Sequence, residues 1–151
     1  MKNTIVFTAK KFDNFTLDEL YAVLRLRSEV FVVEQDCVYQ DIDNKDQHAL
    51  HILGFWEKEL VAYTRIFEPG AYFERASIGR VIVQERARGK NFGKQLMEFS
   101  ILAIAKAYAT HEITISAQVY LNRFYSELGF VNEGSEYLED GIPHIKMNYN
   151  P

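Results

Sequence analysis

The sequence predicts an α/β (α+β) fold, a mixed central β-sheet with helices packed on both faces. Three observations carry that expectation. Apolar, β-branched runs of strand length recur along the chain, separated by segments whose apolar residues repeat at helical spacing. The early runs follow one another through short turns, which pairs them as antiparallel hairpins. The late runs are separated by whole helices, as crossover connections are. At 151 residues the chain has the length of one domain spanning residues 1–151, and 48% hydrophobic residues suffice to fill its core.

Residues 5–11 alternate as a first strand. Thr16, Leu17, Asp18 and Glu19 form a capping box, in which Thr16 and Glu19 satisfy each other's free backbone donors. Leu17, Leu20, Tyr21, Leu24 and Phe31 follow at helical spacing, so this helix should run to about Val32. Residues 34–47 are polar, with Glu34, Asp36, Asp41, Asp43 and Asp46 against the single Lys45. A connection this long points to a functional loop. Residues 48–56 and 60–68 read as strands joined by Glu57, Lys58 and Glu59, and Pro69-Gly70 breaks the chain. Residues 76–83 form another strand, followed by a helix over about 91–107 with Phe92, Leu96, Phe99 and Ala103 as its buried stripe. Residues 113–118 are strand-like, and a short helix over 121–128 stops at Gly129. Residues 130–137 and 144–149 close the chain as two strands around a turn at 139–143.

Composition removes several function classes. A formal net charge of -4, without a basic patch of interleaved aromatics, argues against nucleic-acid binding. Cys37 is the one cysteine, which excludes an internal disulfide and fits a reducing compartment. No apolar run approaches the roughly 20 residues that cross a bilayer. The first residues, from Met1 on, alternate like a strand and lack the apolar stretch of a signal peptide. A cytoplasmic protein without membrane contact is expected. No His, Cys and carboxylate grouping has metal-ligand spacing, so no metal is expected. No exposed apolar stripe compels an oligomer, and both a monomer and a homodimer stay open.

The chemistry concentrates between Val81 and Lys94. An apolar strand ends there and feeds a helix through Arg88-Gly89-Lys90-Asn91-Phe92-Gly93-Lys94. A basic, glycine-bearing turn at a helix start aims several backbone N–H groups at one spot, and with the helix dipole they seat an anion, most often a phosphate. A nucleoside-triphosphatase P-loop is rejected, because the glycine spacing is wrong and no Ser or Thr follows Lys94 to hold magnesium.

This loop, the order of elements and Tyr125-Ser126-Glu127-Leu128-Gly129-Phe130 resemble the GNAT N-acetyltransferases. More narrowly, the chain is similar to their ElaA-like branch through Val30-Phe31-Val32-Val33-Glu34-Gln35, Tyr39-Gln40-Asp41-Ile42-Asp43, Ile78-Gly79-Arg80-Val81, Ser116-Ala117-Gln118 and Glu139-Asp140-Gly141-Ile142-Pro143-His144. The resemblance implies an acetyl-CoA-dependent N-acyltransferase in which a small-molecule or peptide amine attacks directly in a ternary complex. The loop from Arg88 to Lys94 would hold the pyrophosphate through Gly89, Lys90, Asn91, Phe92 and Gly93. Arg88 and Lys90 would either add charge or lie as solvated surface. Asn91 stands where the family has its middle glycine; Asn tolerates left-handed backbone angles and keeps the N–H.

The resemblance further implies that the backbone of Val81, Ile82 and Val83 lies along the pantetheine arm, and that Tyr125 protonates the departing sulfur. Tyr125 could instead simply pack an apolar helix face. Gln118 stands where relatives have an asparagine that bonds pantetheine, or else ends a strand. Asn122 is a second candidate, although Asn also caps helices. Ile113 occupies the place where relatives carry a basic glutamate, which leaves Glu34, His48 and His144 as alternatives. Glu34 could equally end a helix in solvent, His48 sit at a sheet edge and His144 brace a turn. Cys37 lacks a cationic sequence neighbour and is a poor nucleophile. The acidic residues of the 34–46 loop, with Glu139 and Asp140, would either draw a cationic acceptor such as a polyamine, amino sugar or lysine, or be merely solvated. An acyl-CoA-binding module without turnover, acting on another protein, is the alternative to an enzyme. A structural interaction domain without any ligand is the third reading.

Overall fold

Seven strands make one sheet in the order β1-β2-β3-β4-β5-β7-β6 in the computed structural model, which describes residues 4–151. Residues 1–3, where the N-terminal alternation was read to begin, lie outside the described residues. The strands are β1 Val6–Lys11, β2 Leu50–Trp56, β3 Glu59–Phe67, β4 Ala76–Val83, β5 Ile113–Gln118, β6 Phe130–Glu139 and β7 Ile142–Tyr149. The helices are α1 Leu17–Arg27, α2 Phe92–Tyr108 and α3 Asn122–Glu127. β1 to β4 pair antiparallel in chain order, as their short turns require. β4 and β5 run parallel, with α2 as the crossover between them. The final hairpin is tighter than expected, because Asp140 and Gly141 alone turn the chain, both at positive φ.

The capping box forms as read. Thr16 N donates to Glu19 Oε1 at 2.9 Å, and Glu19 N donates to Thr16 Oγ1 at 3.1 Å. Helical structure then continues past α1 into a wider π-helical turn over Ser28–Glu34. Not all the residues at that spacing face the sheet. Leu17 and Tyr21 are 86% and 74% exposed, while Val23, Leu26 and Val30 pack against Leu53, Tyr63 and Ile82 of the sheet. The helix is aliphatic on more than one side, so period alone allows several faces. Arg27 helps to decide, since its guanidinium must reach the carboxylates of Asp41 and Asp46.

α2 covers the opposite face, so both faces carry helices. Its stripe is also rotated from expectation. Phe92, Leu96, Met97, Ile101 and Ile104 are buried against the sheet, whereas Phe99 and Ala103 are only half-buried. The sheet itself changes parity inside β4. Arg65 pairs Gly79 but Tyr63 pairs Ile82, so β4 holds one extra residue, and Arg80 there takes a φ of 50°. This β-bulge moves the α2-facing series from Ala76 and Ile78 to Val81 and Val83, and turns Ile82 toward α1.

Candidate active site

The bulge opens the sheet. β4 and β5 are paired only at Ala76–Ile113 and Ser77–Thr114. Beyond that point β4 stays with β3 and β5 with β7, so the two strands splay apart. The second half of β4 thereby keeps one backbone edge without a strand partner, facing a cleft of about 550 Å³. Val81, Ile82 and Val83 line this cleft along one side, and Gly89, Asn91, Gly93 and Lys94 close its end.

That end is an anion seat by construction. Gly89 and Asn91 both take left-handed backbone angles, φ 77° and 68°. The first helical N–H with an acceptor is that of Gln95, bonded to the Asn91 carbonyl at 3.3 Å. Among the described residues the N–H groups from Gly89 to Lys94 have no partner, so these donors fit a diphosphate. Gly93 lies against the Phe124 ring, where a Cβ would stand at ordinary contact distance, 3.4 Å. Asn91→Gly should therefore leave stability unchanged, whereas the β-branched Asn91→Val should cost about 1–2 kcal/mol through its left-handed angles. Thermal unfolding of both variants measures the difference.

Side chains of the loop do other work. Arg88 Nε donates to the Val83 carbonyl at 2.8 Å, and its Nη1 pairs with Glu34 at 2.7 Å. Arg88 thus ties the loop to the end of β4 and to the π-helical turn. Lys90 is not in the cleft; its ammonium lies 5.2 Å from the centre of the Trp56 ring. Phe92 anchors α2 in the core, edge-on to Trp56, and only its N–H belongs to the seat.

A second, smaller cleft of about 120 Å³ lies on the other side of the splay. Val81, Gln118 and Tyr125 border both clefts, so the two meet at these residues. Gln118 ends β5 and accepts from Gln35 at 3.4 Å. Tyr125 is 5% exposed, its ring edge-on to Phe124 and Phe130. Its hydroxyl makes no hydrogen bond among the described residues. Arg65 Nε is the one sealed side-chain donor there without a partner, so the Tyr125 hydroxyl opens onto the clefts. Burial, aided by the neighbouring Tyr120, pushes this phenol above its ordinary range and keeps it protonated.

Three of the five carboxylates in the acidic loop depart from both readings, while Glu34 and Asp36 are exposed. Asp41, Asp43 and Asp46 neither rim the cleft nor sit in water. They neutralise Arg27, Arg65 and Arg80 through contacts of 2.7–3.1 Å, three carboxylates for three guanidiniums. Asp43 feels burial raising its carboxyl, but the Arg65 bond and charge, with Arg80, outweigh it and hold the group at about 2. The negative rim that remains in the smaller cleft is Glu139 and Asp140.

Two other expectations fail. His48 is exposed on a short turn and borders neither cleft. The histidine buried nearby is His51, which bridges Tyr63 and the Asp46 carbonyl. Asn122 turns to β6, donating to Asn132 at 2.6 Å, and lines neither cleft. His144, by contrast, lies in the wall of the smaller cleft with Ser116, Glu139 and Cys37. Glu139 stands beside His144 through the β6–β7 hairpin, and the β5–β7 pairing brings Ser116 to it.

The acetyltransferase (GNAT) domain family matches residues 12–151. The chain belongs to the GNAT acetyltransferases. Within them it is 45% identical to the protein ElaA of Escherichia coli over 134 residues, 87% of this chain and 88% of that one. The crystal structure of E. coli ElaA superposes with a TM-score of 0.90 at 40% identity, covering 97% of this chain and all of that one (100%). An acyl-CoA N-acyltransferase from Pseudomonas aeruginosa gives 0.89 at 39% identity over 96% of this chain and 99% of its own. The chain is thus a GNAT acyltransferase of the ElaA-like branch, and acyl-CoA is the co-substrate of that fold. No helix among the described residues is long and apolar enough to cross a membrane.

Proposed function

We propose that this GNAT enzyme moves an acetyl group from acetyl-CoA to a primary amine, with both substrates bound at once. The observation that carries the reading is the meeting of two clefts at Tyr125 and Gln118, one ending in unpaired N–H groups, the other rimmed by carboxylates. Acetyl-CoA supplies the acyl group as an activated thioester. The N–H groups from Gly89 to Lys94 hold its diphosphate, and the free edge of Val81 to Val83 lies beside its pantetheine arm. Gln118 offers an amide to the same arm. Tyr125 donates its hydroxyl proton to the departing sulfur and recovers one from the nitrogen side. The sum converts thioester and ammonium into amide, free thiol and one released proton.

The carboxylates of Glu139 and Asp140 favour an acceptor that arrives as a cation. One cysteine and the use of acetyl-CoA fit work in the cytoplasm. Calorimetric titration with acetyl-CoA, followed by a panel of amines read by thiol release, tests the reading. Acetyl-CoA at 100 times its Kd should raise the unfolding free energy by about 2.7 kcal/mol, and thiol release should require an amine. No binding at millimolar acetyl-CoA would end it.

A further inference from the structure

The β6–β7 hairpin carries Glu139 and His144 into the wall of the smaller cleft, with His144 paired across to Gln118 of β5. His144 is 6% exposed, and its Nδ1 lies 2.7 Å from the carbonyl of Ile142. A carbonyl only accepts, so Nδ1 carries the hydrogen, and in the neutral ring Nε2 has a bare lone pair. That lone pair faces Glu139 Oε2 at 3.4 Å, which is another acceptor. The other oxygen of Glu139 already accepts from Ser116 at 3.0 Å, and Ser116 is in turn bonded to the Tyr137 hydroxyl. With the ring neutral, two acceptors face each other across this gap, and one added proton turns them into an ion pair. An alkylammonium brings both the donors and the charge that this gap lacks.

We propose that the acceptor's ammonium is held between His144 Nε2 and Glu139 Oε2, and that this pair takes the proton which must leave before the nitrogen can attack. The N–H bond breaks with its electron pair staying on nitrogen, and a new N–H bond forms at Nε2. The imidazolium so formed donates to Glu139 until the proton passes to solvent. The role rests on the acetyl transfer proposed above, and it names the acceptor class as a basic alkylamine that is protonated at neutral pH. Ile113 of β5 is a fully buried core residue and offers no base.

The groups around His144 leave it this task. Asp140 shares the hairpin turn, and Lys146, two residues along β7, rests over the Phe73 ring. Arg65 and Arg80 of β3 and β4 border the same cleft but are engaged by Asp43 and Asp41. The phenols of Tyr39, Tyr72, Tyr125 and Tyr137 and the thiol of Cys37 complete the titratable surroundings, and the thiol points at the Asp140 carbonyl.

The test compares His144→Gln and Glu139→Gln with the parent enzyme, measuring kcat/KM against pH for an alkylamine and for a weakly basic hydrazide. The parent should show a plateau around neutral pH with the alkylamine. His144→Gln should lose about 100-fold at neutral pH with the alkylamine, the usual worth of a general base, and far less with the hydrazide, which arrives already neutral. Its alkylamine rate should then climb about tenfold per pH unit, because solvent rather than enzyme removes the proton. Glu139→Gln should fall between the two, and unchanged acetyl-CoA affinity by calorimetry establishes that each variant is folded. Should His144→Gln fail to fold, Glu139→Gln at the hairpin turn carries the same comparison. Equal losses for both acceptors, or an unchanged pH profile, would overturn the pair's role. A parent enzyme inactive toward every amine would instead sink the acetyl-transfer reading beneath it, and the role with it.

Discussion

Tyr125→Phe is expected to lower kcat by about 100-fold or more while the affinity for acetyl-CoA stays unchanged. The substitution removes one oxygen and little else. The ring keeps its edge-on contacts with Phe124 and Phe130, and the lost hydroxyl leaves no orphan because it had no intramolecular partner. Burial holds the phenol protonated, which suits the proposed role of proton donor and not that of a base. Its loss should therefore fall on departure of the sulfur and strike alkylamines and hydrazides alike. That uniformity separates it from His144→Gln, whose effect depends on the acceptor. Steady-state kinetics with both acceptors decide it. A loss below about threefold would remove the proton-donor role, since general acids contribute two orders of magnitude or more.

The second large effect is on stability. Asp46→Ala is expected to cost about 3–5 kcal/mol, because it breaks a buried ionic network by removing one partner. Asp46 Oδ1 accepts from both Arg27 at 2.8 Å and Arg65 at 3.0 Å, and all three side chains are buried. Without it, three guanidiniums share two carboxylates in a site that water reaches poorly. Urea unfolding should show a lower midpoint with an unchanged slope. A cost under about 1 kcal/mol would mean that the network behaves like an exposed one.

Acid should act on the same region. Asp43 is held at about 2 in the folded chain, so its share of stability is complete above the ordinary carboxylate range and is lost as pH falls through about 2. Burial lowers His51 from 6.5, so the folded state resists protonating it, and its share fades as pH falls below the ordinary imidazole range. Both groups bind protons more readily when unfolded. Stability should rise from acid toward neutral pH.

Local signals in the chain carried further than distant ones. The Thr16–Glu19 box, the strand over Ala76–Val83 and the left-handed seat of Asn91 depend on residues a few positions apart, and each was legible. The faces of α1 and α2 were not, because a helix with aliphatic residues on several sides satisfies the same period in more than one orientation. The pairing of the acidic loop is hidden for a related reason. Arg27, Arg65 and Arg80 lie 14 to 39 residues from Asp41 and its neighbours, and nothing in their spacing says that they meet. Glu139 and His144 share one hairpin, and it is the pairing of β7 with β5 that sets them beside Ser116 and Gln118.

From the order of residues alone came the fold class, the family resemblance, the phosphate-type loop and Tyr125 as the residue to examine. These are encoded in backbone angles, period and short motifs. The three-dimensional arrangement alone supplied the bulge at Arg80, the splay of β4 from β5, the neutral arginine–aspartate network and the facing acceptors in the smaller cleft. Each of these follows from how strands pair, where register and burial, rather than local preference, determine which side chains come together.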